Sequence, residues 1–375
     1  MTLQPLMLAL CYFVLILVVF PIFCSDKVYS LFYQGDNLMN EKYEKIKTEH
    51  RKRWALDYLG KLDPQESSEY HASKFSEFID NLIVVIAKYP SRKDDLVLSQ
   101  LVTEIDRNIK SERFYSNAMI ICNASRVAFE ELESLSRFYP VRQAKNTTSW
   151  RLFNKEEIIK HDFIDCISMG VNHTEAKYIT LIRDKILPYG GFLESLNSVI
   201  ASQVSSSFRR GELFMRETSW LVLHLHEPVP FRHYGLTLNS VKELILIACF
   251  GSATFYLVFR RLEGKQPSLS FPAYSFIFFG ALYFLTFAVI IGRPYISELR
   301  RTATALHRIY DPPEPVPFTA VSLPTTSVNE LLLNLGSVHC SNYVPFHEVL
   351  DHMVNTLEKP SFVISPSLFR YVTST

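Results

Sequence analysis

Residues 244–292 contain two apolar runs, LILIACFGSATFYLVF at 244–259 and PSLSFPAYSFIFFGALYFLTFAVIIG at 267–292. A membrane-spanning helix needs about 20 mainly apolar residues, and the second run contains no Asp, Glu, Lys or Arg. The link between the runs, RRLEGKQ, is too short to do more than reverse the chain direction. The pattern therefore predicts a transmembrane hairpin, in preference to the alternative of two buried core helices in a soluble protein.

A third apolar run extends from Pro5 to Cys24, and Asp26 and Lys27 end it. In lipid, a single segment can satisfy its backbone polar groups only as a helix. A cleaved signal peptide is the alternative, but this run is long, lacks a basic leader and ends in Pro-Ile-Phe-Cys instead of a small-x-small cleavage site. Residues 1–26 are therefore predicted to be an N-terminal signal anchor.

The basic residues of the hairpin link predict the orientation of the chain. By the positive-inside rule, two arginines and one lysine place the link on the cytosolic side. Residues 27–243 and 293–375 then both lie on the luminal side, with the N-terminus in the cytosol. This arrangement is a type II membrane protein with three helices and most of its mass in the lumen.

The overall charge and the cysteines narrow the class of protein further. A formal net charge of +1 creates no basic field, so nucleic acid is not expected as a partner. Of the six cysteines, three lie in the apolar runs and three in the predicted luminal part: Cys122, Cys166 and Cys340. They permit at most one intrachain luminal disulfide, whose pairing stays open, and their spacing is not that of a metal site.

Three Asn-x-Ser/Thr sequons begin at Asn123, Asn146 and Asn172. They are the expected sites of N-glycosylation in a secretory lumen. Because Asn, Ser and Thr are common in this chain, a similar number of sequons is also expected by chance.

Between the anchor and the hairpin, two kinds of pattern follow each other. Residues 27–80 carry mixed charge and predict a helical stem with a loop at residues 63–65. Beyond them, short apolar runs alternate with amphipathic stretches, which predicts an α/β fold with a parallel sheet. The predicted strands are Leu82–Ala87, Ala118–Cys122, Tyr178–Ile182, Trp220–Leu225 and Phe362–Ile364, and the predicted helices are Leu96–Asn108, Val127–Phe138, Ile158–Met169, Phe192–Gln203, Val328–Leu335 and Phe346–Leu357.

The position of the hairpin predicts how the α/β region is organised. Residues 293–375 are too few and too weakly patterned for a core of their own, while residues 80–243 look like a sheet that lacks its end. We therefore expect these two segments to form one domain, interrupted by the hairpin at 244–292. A separate C-terminal tail is the alternative.

The loop after the predicted strand Tyr178–Ile182 is the first place to search for a ligand site. In α/β sheets, ligands bind outside the carboxyl ends of the strands. Here the buried strand is followed by Arg183, Asp184 and Lys185. Nucleotide-sugar transferases have a metal-binding acidic motif at this position, because the leaving diphosphate develops negative charge and a divalent cation stabilises it.

Several segments, taken in order, carry a resemblance to a known family. They are Leu82–Ala87, Ile121–Asn123, Phe129–Val141, Asp162 with Phe163 and Cys166, Tyr178–Pro188, Leu223–Pro228, Arg293–Arg301, Val338–Cys340 and Phe362–Leu368. Together with the hairpin, they resemble the Golgi GPI-side-chain GalNAc transferases, post-GPI-attachment enzymes whose GT-A-type domain is interrupted by two tandem transmembrane helices. The resemblance covers most of residues 80–370. It implies a GT-A-like glycosyltransferase domain in the membrane of the Golgi or endoplasmic reticulum, with UDP-GalNAc as donor and a GPI glycolipid or GPI-anchored protein as acceptor.

The chain departs from the family at two positions that bear on the chemistry. Where the family has a Glu-Asp-Asp motif, this chain has Arg183, Asp184 and Lys185, so one carboxylate of three remains. Where the family has Lys-His-Ile-Gly after the last strand, residues 370–372 read Arg-Tyr-Val. Mn²⁺ is the cofactor that the resemblance implies, but the loss of carboxylate and imidazole ligands predicts that a Mn²⁺ or Mg²⁺ site of the family kind is absent.

Two functions are consistent with these departures. In the first, the protein is a metal-independent transferase: Arg183 and Lys185 neutralise the diphosphate as fixed cations, and Asp184 contacts the ribose or the sugar. In the second, the domain is a pseudoenzyme that retains the fold and recognition of GPI-anchored proteins but not catalysis.

Other residues are predicted to act on the acceptor. Glu348 lies near the position where the family has Lys-Asp. As a carboxylate, it is a candidate for the general base that takes the proton of the acceptor hydroxyl. His233 and Tyr234, just before the hairpin, are predicted to contact a lipid-linked glycan, which the membrane would hold near them.

His224 and His226 share one face of a predicted strand and form a candidate metal pair with Glu227, although a half-exposed strand shows the same alternation.

Overall fold

The computed structural model describes the chain from residue 3 to residue 371 with gaps. The described residues are 3–24, 30–32, 38–88, 96–125, 129–144, 154–183, 186–204, 220–226, 234, 238–263, 273–304, 307–310, 312 and 315–371. The chain divides into two compact units, a helical unit formed by residues 1–43 and 228–306 and an α/β unit formed by residues 44–227 and 307–375.

The helical unit contains the three apolar runs. Its described helices are α1 (Leu3–Val14), continued through a π-helical turn (Leu15–Val19) into α2 (Phe20–Cys24), and later α9 (Leu238–Glu263), α10 (Ala273–Ile291) and α11 (Arg293–Thr304). Segments Ser240–Val258 and Tyr274–Ile291 are long and apolar enough to cross a membrane. The apolar segment Ala9–Cys24 is shorter, and the signal anchor stays a prediction.

Helices α9 and α10 approach each other closely at two glycines. A Cβ atom added at Gly251 would lie 2.5 Å from the carbonyl oxygen of Gly280, and one added at Gly280 would lie 2.6 Å from that of Gly251. Small residues at a helix crossing allow the two backbones to touch. Helix α1 contacts α10 through Tyr12, whose hydroxyl is 2.6 Å from that of Thr286.

The α/β unit is built on one mixed sheet of eight described strands in the order β3-β2-β1-β4-β8-β6-β9-β7. These strands are β1 (Ile79–Ala87), β2 (Asn117–Asn123), β3 (Val141–Gln143), β4 (Ala176–Arg183), β6 (Val222–His224), β7 (Arg308–Tyr310), β8 (Ala320–Pro324) and β9 (Ser361–Ser365). Strands β5 (Ile186–Pro188) and β10 (Phe369–Tyr371) form a separate antiparallel pair. The sheet therefore combines strands from before and after residues 228–306.

Helices cover both faces of this sheet. The described helices of the unit are α3 (Leu38–Lys61, in the unit from Glu44), α4 (Pro64–Lys74), α5 (Val97–Ser111), α6 (Glu130–Leu135), α7 (Lys155–His173), α8 (Phe192–Val199), α12 (Thr325–Ser337) and α13 (Phe346–Thr356). Successive residues of β1 point to opposite faces. Ile83 and Val85 enter the core beneath α5 and α8, whereas Leu82 and Val84 enter the core beneath α7, α12 and α13.

The sequence-based prediction of α/β structure is confirmed, but the prediction of a parallel sheet is wrong in part. Strands β3-β2-β1-β4 are parallel to one another, as are β6 and β9. Strand β8, however, runs antiparallel between β4 and β6, and β7 is antiparallel to β9. Sequence reasoning missed β8 because it is only five residues long and prolines at 317 and 324 stand on either side of its apolar part.

Much of the segment predicted as a stem belongs to the α/β unit. Asp63 caps α4 by accepting a hydrogen bond from the Gln65 backbone N–H, at the predicted break between the two stem helices. Both helices pack on the unit instead of acting as a spacer, because their polar side chains meet a buried carboxylate on α5.

That carboxylate is Asp106, which is fully buried. It accepts hydrogen bonds from the hydroxyls of Tyr58 (2.9 Å) and Tyr139 (3.1 Å) and pairs with His71 (3.3 Å) and Lys110 (2.9 Å). Burial alone would raise the pKa of Asp106, but its hydrogen bonds with His71 and Lys110 outweigh that effect and lower the pKa. The network ties α3 and α4 to the α/β core.

One disulfide joins Cys122 at the end of β2 to Cys166 on α7. This pairing answers the question that the sequence left open. Cys340 is buried and unpaired, and burial raises the pKa of its thiol to about 11.

Candidate active site

The order of the strands identifies where a ligand would bind. From β1, the chain places β2 and β3 on one side, while β4 lies on the other side. In open α/β sheets, such a reversal opens a crevice at the carboxyl ends of the two central strands, and ligands bind there. Arg183 is the last residue of β4 and pairs with Ile86 near the end of β1.

Arg183 lines a cavity of about 310 Å³ at this edge of the sheet, which we call the Arg183 cavity. Its other walls come from the start of α7, the start of α13 and the segment before β8. The charged and polar residues of its lining are Lys155, Glu156, Arg183, Thr319 and His347.

The guanidinium group of Arg183 is held in a defined position. Its backbone N–H donates to the carbonyl of Thr319 (3.0 Å), and Nη1 donates to the carbonyl of Phe318 (3.3 Å). The guanidinium carbon also lies 5.9 Å from the centre of the Phe318 ring. That ring is fixed in turn by edge-on contacts with Phe163 at 5.0 Å and Phe346 at 5.9 Å. Arg183 is therefore an oriented cation instead of a solvated loop residue.

Two helix starts meet at the Arg183 cavity. Asn154 caps α7 by accepting a hydrogen bond from the backbone N–H of Glu157 (2.8 Å). The carboxylate of Glu156 accepts one from the backbone N–H of Phe346, the first residue of α13 (3.1 Å). Since helix N-termini carry partial positive charge, both contribute positive potential to the space that they line, and the Glu156 carboxylate offsets part of it.

A buried ion pair stabilises the wall behind this site. Lys160 is 1% exposed, lies 2.6 Å from Glu157 and also donates to the carbonyl of Val338. Glu157 accepts a further hydrogen bond from the Cys340 backbone N–H (2.6 Å). Burial would raise the pKa of Glu157, but the bonds from Lys160 and the Cys340 N–H lower it. The pair attaches residues 338–340 to α7.

A second ion pair lies beside the end of β1. Lys88, the residue after this strand, pairs with Asp162 on α7. Asp162 is buried, with 5% of its side chain exposed. The pair thus places a charge-compensated contact next to the crevice between β1 and β4.

Only some of the site residues predicted from the sequence lie together in the structure. Arg183 lines the cavity, whereas Asp184, Lys185 and His233 lie outside the described residues. Tyr234 belongs to the helical unit. Glu348 is exposed on the first turn of α13 and does not line the cavity, although its neighbour His347 does.

The candidate histidine pair does not form a metal centre in the described part of the chain. His224 is buried in the middle of the sheet, and this burial lowers its pKa to about 3, so the ring is neutral. His226 bonds through Nδ1 to the hydroxyl of Ser367 (2.8 Å), and Glu227 lies outside the described residues. Among the residues that the structure describes, no group of three or more His, Cys, Asp or Glu side chains is arranged to hold a metal ion.

The residues at the end of β4 do not fit a divalent metal. Mn²⁺ and Mg²⁺ are held by several oxygen ligands. At this position the chain has a cation, Arg183, anchored to two carbonyl groups, and the loop that follows contributes Asp184 as its one carboxylate. An arginine repels a metal ion and competes with it for the same anion.

The three sequons differ in their surroundings. The Asn123 side chain donates to Gln143 (2.7 Å) and accepts from the Ser125 backbone N–H (3.0 Å), so its amide already has local partners. Asn172 is exposed near the end of α7, and Asn146 lies outside the described residues. Glycosylation at these positions stays a prediction.

Sequence reasoning missed Lys155, Glu156 and His347 as site residues. The prediction began the α7 helix at Ile158, after the cavity-lining residues. The sequence Asn-Lys-Glu-Glu at 154–157 held the missing signal, since an Asn cap followed by acidic residues marks a helix start.

Comparison with known proteins identifies the family. No curated protein matches the chain. The family described as GPI-N-acetylgalactosamine transferase PGAP4 matches residues 82–370. This match runs from β1 to β10 and includes the Arg183 cavity, the hairpin helices and both halves of the sheet. The chain therefore belongs to the PGAP4 family of GPI-N-acetylgalactosamine transferases.

Proposed function

We propose that the protein transfers N-acetylgalactosamine from UDP-GalNAc to the glycan of a GPI anchor, with the donor diphosphate in the Arg183 cavity. Family membership supports the reaction and the acceptor. The single observation that carries the donor assignment is Arg183, an oriented cation at the reversal in strand order. The parallel strands β3-β2-β1-β4 and the polar loop after β4 support a GT-A-like domain.

The reaction places a specific demand on this cavity. The acceptor hydroxyl oxygen forms a bond to C1 of the sugar while the bond from C1 to the diphosphate oxygen breaks. UDP leaves with the electron pair, and the hydroxyl proton passes to a base. Arg183, together with Lys185 of the adjoining loop, neutralises the charge that develops on the diphosphate. Asp184 is proposed to contact the ribose or the sugar.

This assignment makes the reaction independent of a metal ion. In this proposal the side chains of Arg183 and Lys185 supply the positive charge that a divalent cation supplies in acidic-loop enzymes. Because Arg183 and Lys185 take the place of the positive charge of the metal ion, the loss of the acidic motif is compatible with catalysis.

Glu348 and Glu156 are the two candidates for the general base. Glu348 is the residue suggested by the sequence, but it is exposed on α13. Glu156 lines the cavity and is held by the Phe346 N–H, so we favour it. Glu156→Gln should lower kcat by about 10²–10⁴-fold, whereas Glu348→Gln should change it little. The reverse result would return the role to Glu348.

A pseudoenzyme is the second candidate function, favoured by the survival of one carboxylate of three in the 183–185 loop. Such a protein would bind GPI-anchored proteins or act as a scaffold for their processing. It would not transfer sugar.

We further propose that the protein resides in the membrane of the Golgi or the endoplasmic reticulum with its α/β unit in the lumen, where His233 and Tyr234 contact the acceptor. The membrane-length helices α9 and α10 support the location, and the basic link between them supports the orientation. The Cys122–Cys166 disulfide supports an oxidising compartment.

UDP-GalNAc binding to the full-length protein in detergent tests the proposal. We expect binding in EDTA that Mn²⁺ does not strengthen, that weakens at least tenfold in Arg183→Gln, and that persists in the exposed control Arg137→Gln. Binding that requires Mn²⁺ would contradict the metal-independent reaction. Absence of binding with and without Mn²⁺ would reject the transferase and favour the pseudoenzyme.

A further inference from the structure

A second cavity of about 350 Å³ lies in the α/β unit, and none of its lining residues lines the Arg183 cavity. Its walls come from α3, α5, the end of β5 and β10. The side chains that shape it are Arg51, Trp54, Glu104, Arg107, Tyr189 and Arg370. We call it the Arg370 cavity.

One short strand contributes residues to both cavities. Ile186 of β5 lines the Arg183 cavity, and the next two residues, Leu187 and Pro188, line the Arg370 cavity. Strand β5 begins at Ile186, so both cavities are lined by residues within five positions of Arg183 along the chain.

The Arg370 cavity has an excess of positive charge. Three arginines and one glutamate line it. Glu104 lies 2.5 Å from Arg107, which also stacks over Trp54 at 5.4 Å. Burial raises the pKa of Glu104, and the two arginines Arg107 and Arg370 only partly oppose this rise. Because Glu104 already pairs with Arg107, it compensates the charge of Arg370 only in part.

Arg370 is the residue best suited to hold an anion. Its guanidinium carbon lies 5.7 Å from the centre of the Tyr189 ring, which orients the planar group. Its Nε is buried and has no hydrogen-bond partner within the described residues. A buried N–H without a partner is costly, and an anionic oxygen in the cavity would satisfy it.

The remaining walls indicate what carries the anion. The half-buried Trp54 and the exposed Tyr189 supply flat aromatic surfaces between the cationic groups. Aromatic faces suit the apolar face of a sugar ring, and the fork of a guanidinium matches two phosphate oxygens. The combination fits a sugar bearing a phosphate better than it fits an inorganic ion or an apolar chain.

We propose that the Arg370 cavity binds a phosphate-bearing saccharide, and that this saccharide is the anionic part of the acceptor glycan. The identification of the acceptor rests on the proposed function, because a glycosylphosphatidylinositol contains both sugars and phosphate. A nucleotide sugar shares this chemistry, so the experiment must separate the two sources. With the donor in the Arg183 cavity, the two substrates would bind in cavities that are both lined by residues of β5.

Binding of mannose 6-phosphate to the full-length protein in detergent tests this proposal, with mannose, inorganic phosphate and UDP-GalNAc as separate probes. Arg370→Gln should weaken mannose 6-phosphate binding by about tenfold to a hundredfold, the range expected for a charged hydrogen bond. UDP-GalNAc binding should be unchanged. Arg183→Gln should give the opposite pattern, and Arg53→Gln, a 78% exposed position on α3, should affect neither.

The outcomes are distinct from those that test the donor site. Failure of wild-type protein to bind mannose 6-phosphate, or equal binding by Arg370→Gln, would overturn the inference whatever UDP-GalNAc does. Loss of UDP-GalNAc binding in Arg370→Gln would assign the cavity to the donor and overturn it as well. Arg370→Lys, which keeps the charge but not the fork, guards against a folding defect: we expect unchanged thermal unfolding and an intermediate affinity.

Discussion

The helical unit and the α/β unit are stabilised by different kinds of contact. In the helical unit, α9 and α10 pack backbone to backbone at Gly251 and Gly280, and Ser252 donates to the carbonyl of Ile277 (3.1 Å). In the α/β unit, fully buried charged groups join elements that are distant in the sequence: Asp106 accepts from Tyr58 and Tyr139, and Lys160 donates to the carbonyl of Val338.

This difference follows from the solvent proposed for each unit. Between helices in lipid there is little hydrophobic drive, so close packing of small residues holds them together. In water, apolar burial stabilises the core, and a buried charge is tolerated only where partners surround it. The α/β unit should therefore be sensitive to the loss of a charge, and the helical unit to the gain of a single methyl group.

The largest effect is expected from Asp106→Ala. Removing this carboxylate leaves His71 and Lys110 without their partner, and breaking a buried pair costs about 3–5 kcal/mol. The measurement is urea unfolding of the full-length protein in detergent, followed by tryptophan fluorescence. Asp57→Ala, at a 61% exposed position on the neighbouring helix α3, is the control and should change stability by less than about 0.5 kcal/mol. Equal losses in both variants would contradict a structural role for the network.

A smaller loss is expected when the disulfide is removed. Cys166→Ser opens a loop between residues 44 positions apart, which should lower the free energy of unfolding by about 2–4 kcal/mol. Cys340→Ser, at a buried cysteine outside the disulfide, is the matched comparison and should cost less. If reduction of the wild-type protein leaves its stability equal to that of the oxidised protein, the disulfide does not contribute.

In the helical unit, Gly251→Ala should destabilise the contact between α9 and α10. The new methyl group would lie 2.5 Å from the carbonyl of Gly280, and overpacking of this kind costs about 1–3 kcal/mol. Far-UV circular dichroism during thermal unfolding in detergent measures the change. Gly336→Ala on α12 has no atom within 4 Å of the added Cβ and should not destabilise the protein. The comparison between units fails if the two alanines have the same effect.

The smallest expected effect is on the stability of the protein at low pH. The folded-state pKa of Asp106 is lowered, so its contribution to stability is present above its unfolded-state pKa of about 3.9 and is lost as pH falls through the folded value. Asp106→Asn should therefore show a shallower loss of stability below about pH 4 than the wild type. Glu157 has a lowered pKa as well and contributes equally to both proteins. Identical acid unfolding curves would exclude the contribution of Asp106.

The parts of the fold that sequence patterns predicted are those with long, uniform runs. The central parts of β1, β2 and β4 are buried on both faces, so their apolar runs are unbroken except for Thr180 in β4, and α9 and α10 are apolar over a membrane length. Strand β8 was not predicted because five residues are too few to show a periodic pattern. Its pairing with β4 and β6 follows from the three-dimensional structure and not from the local sequence.

The same reasoning explains what was missed at the candidate sites. Arg183 was predictable because it ends a recognisable strand. Glu156 and Arg370 were not recognised as cavity residues, since their neighbours come from chain segments far apart in the sequence: α13 for Glu156, and α3 and α5 for Arg370. Trp54 was hidden by the interpretation of residues 27–80 as a stem. Local patterns report an element, whereas a cavity depends on which elements meet.

The position of β8 between β4 and β6 also determines the order in which the sheet can be completed during synthesis. His224 ends β6 and Ala320 begins β8, a separation of 96 residues (320 − 224) that includes both long apolar helices. At a synthesis rate of about 5–20 residues per second, β6 is complete roughly 5–20 s before the strand that joins it to β4 is made. Both strands keep an unpaired edge during this interval, and such edges are prone to pairing with other chains. Production of the protein in cells should therefore depend on chaperones that shield newly made strands.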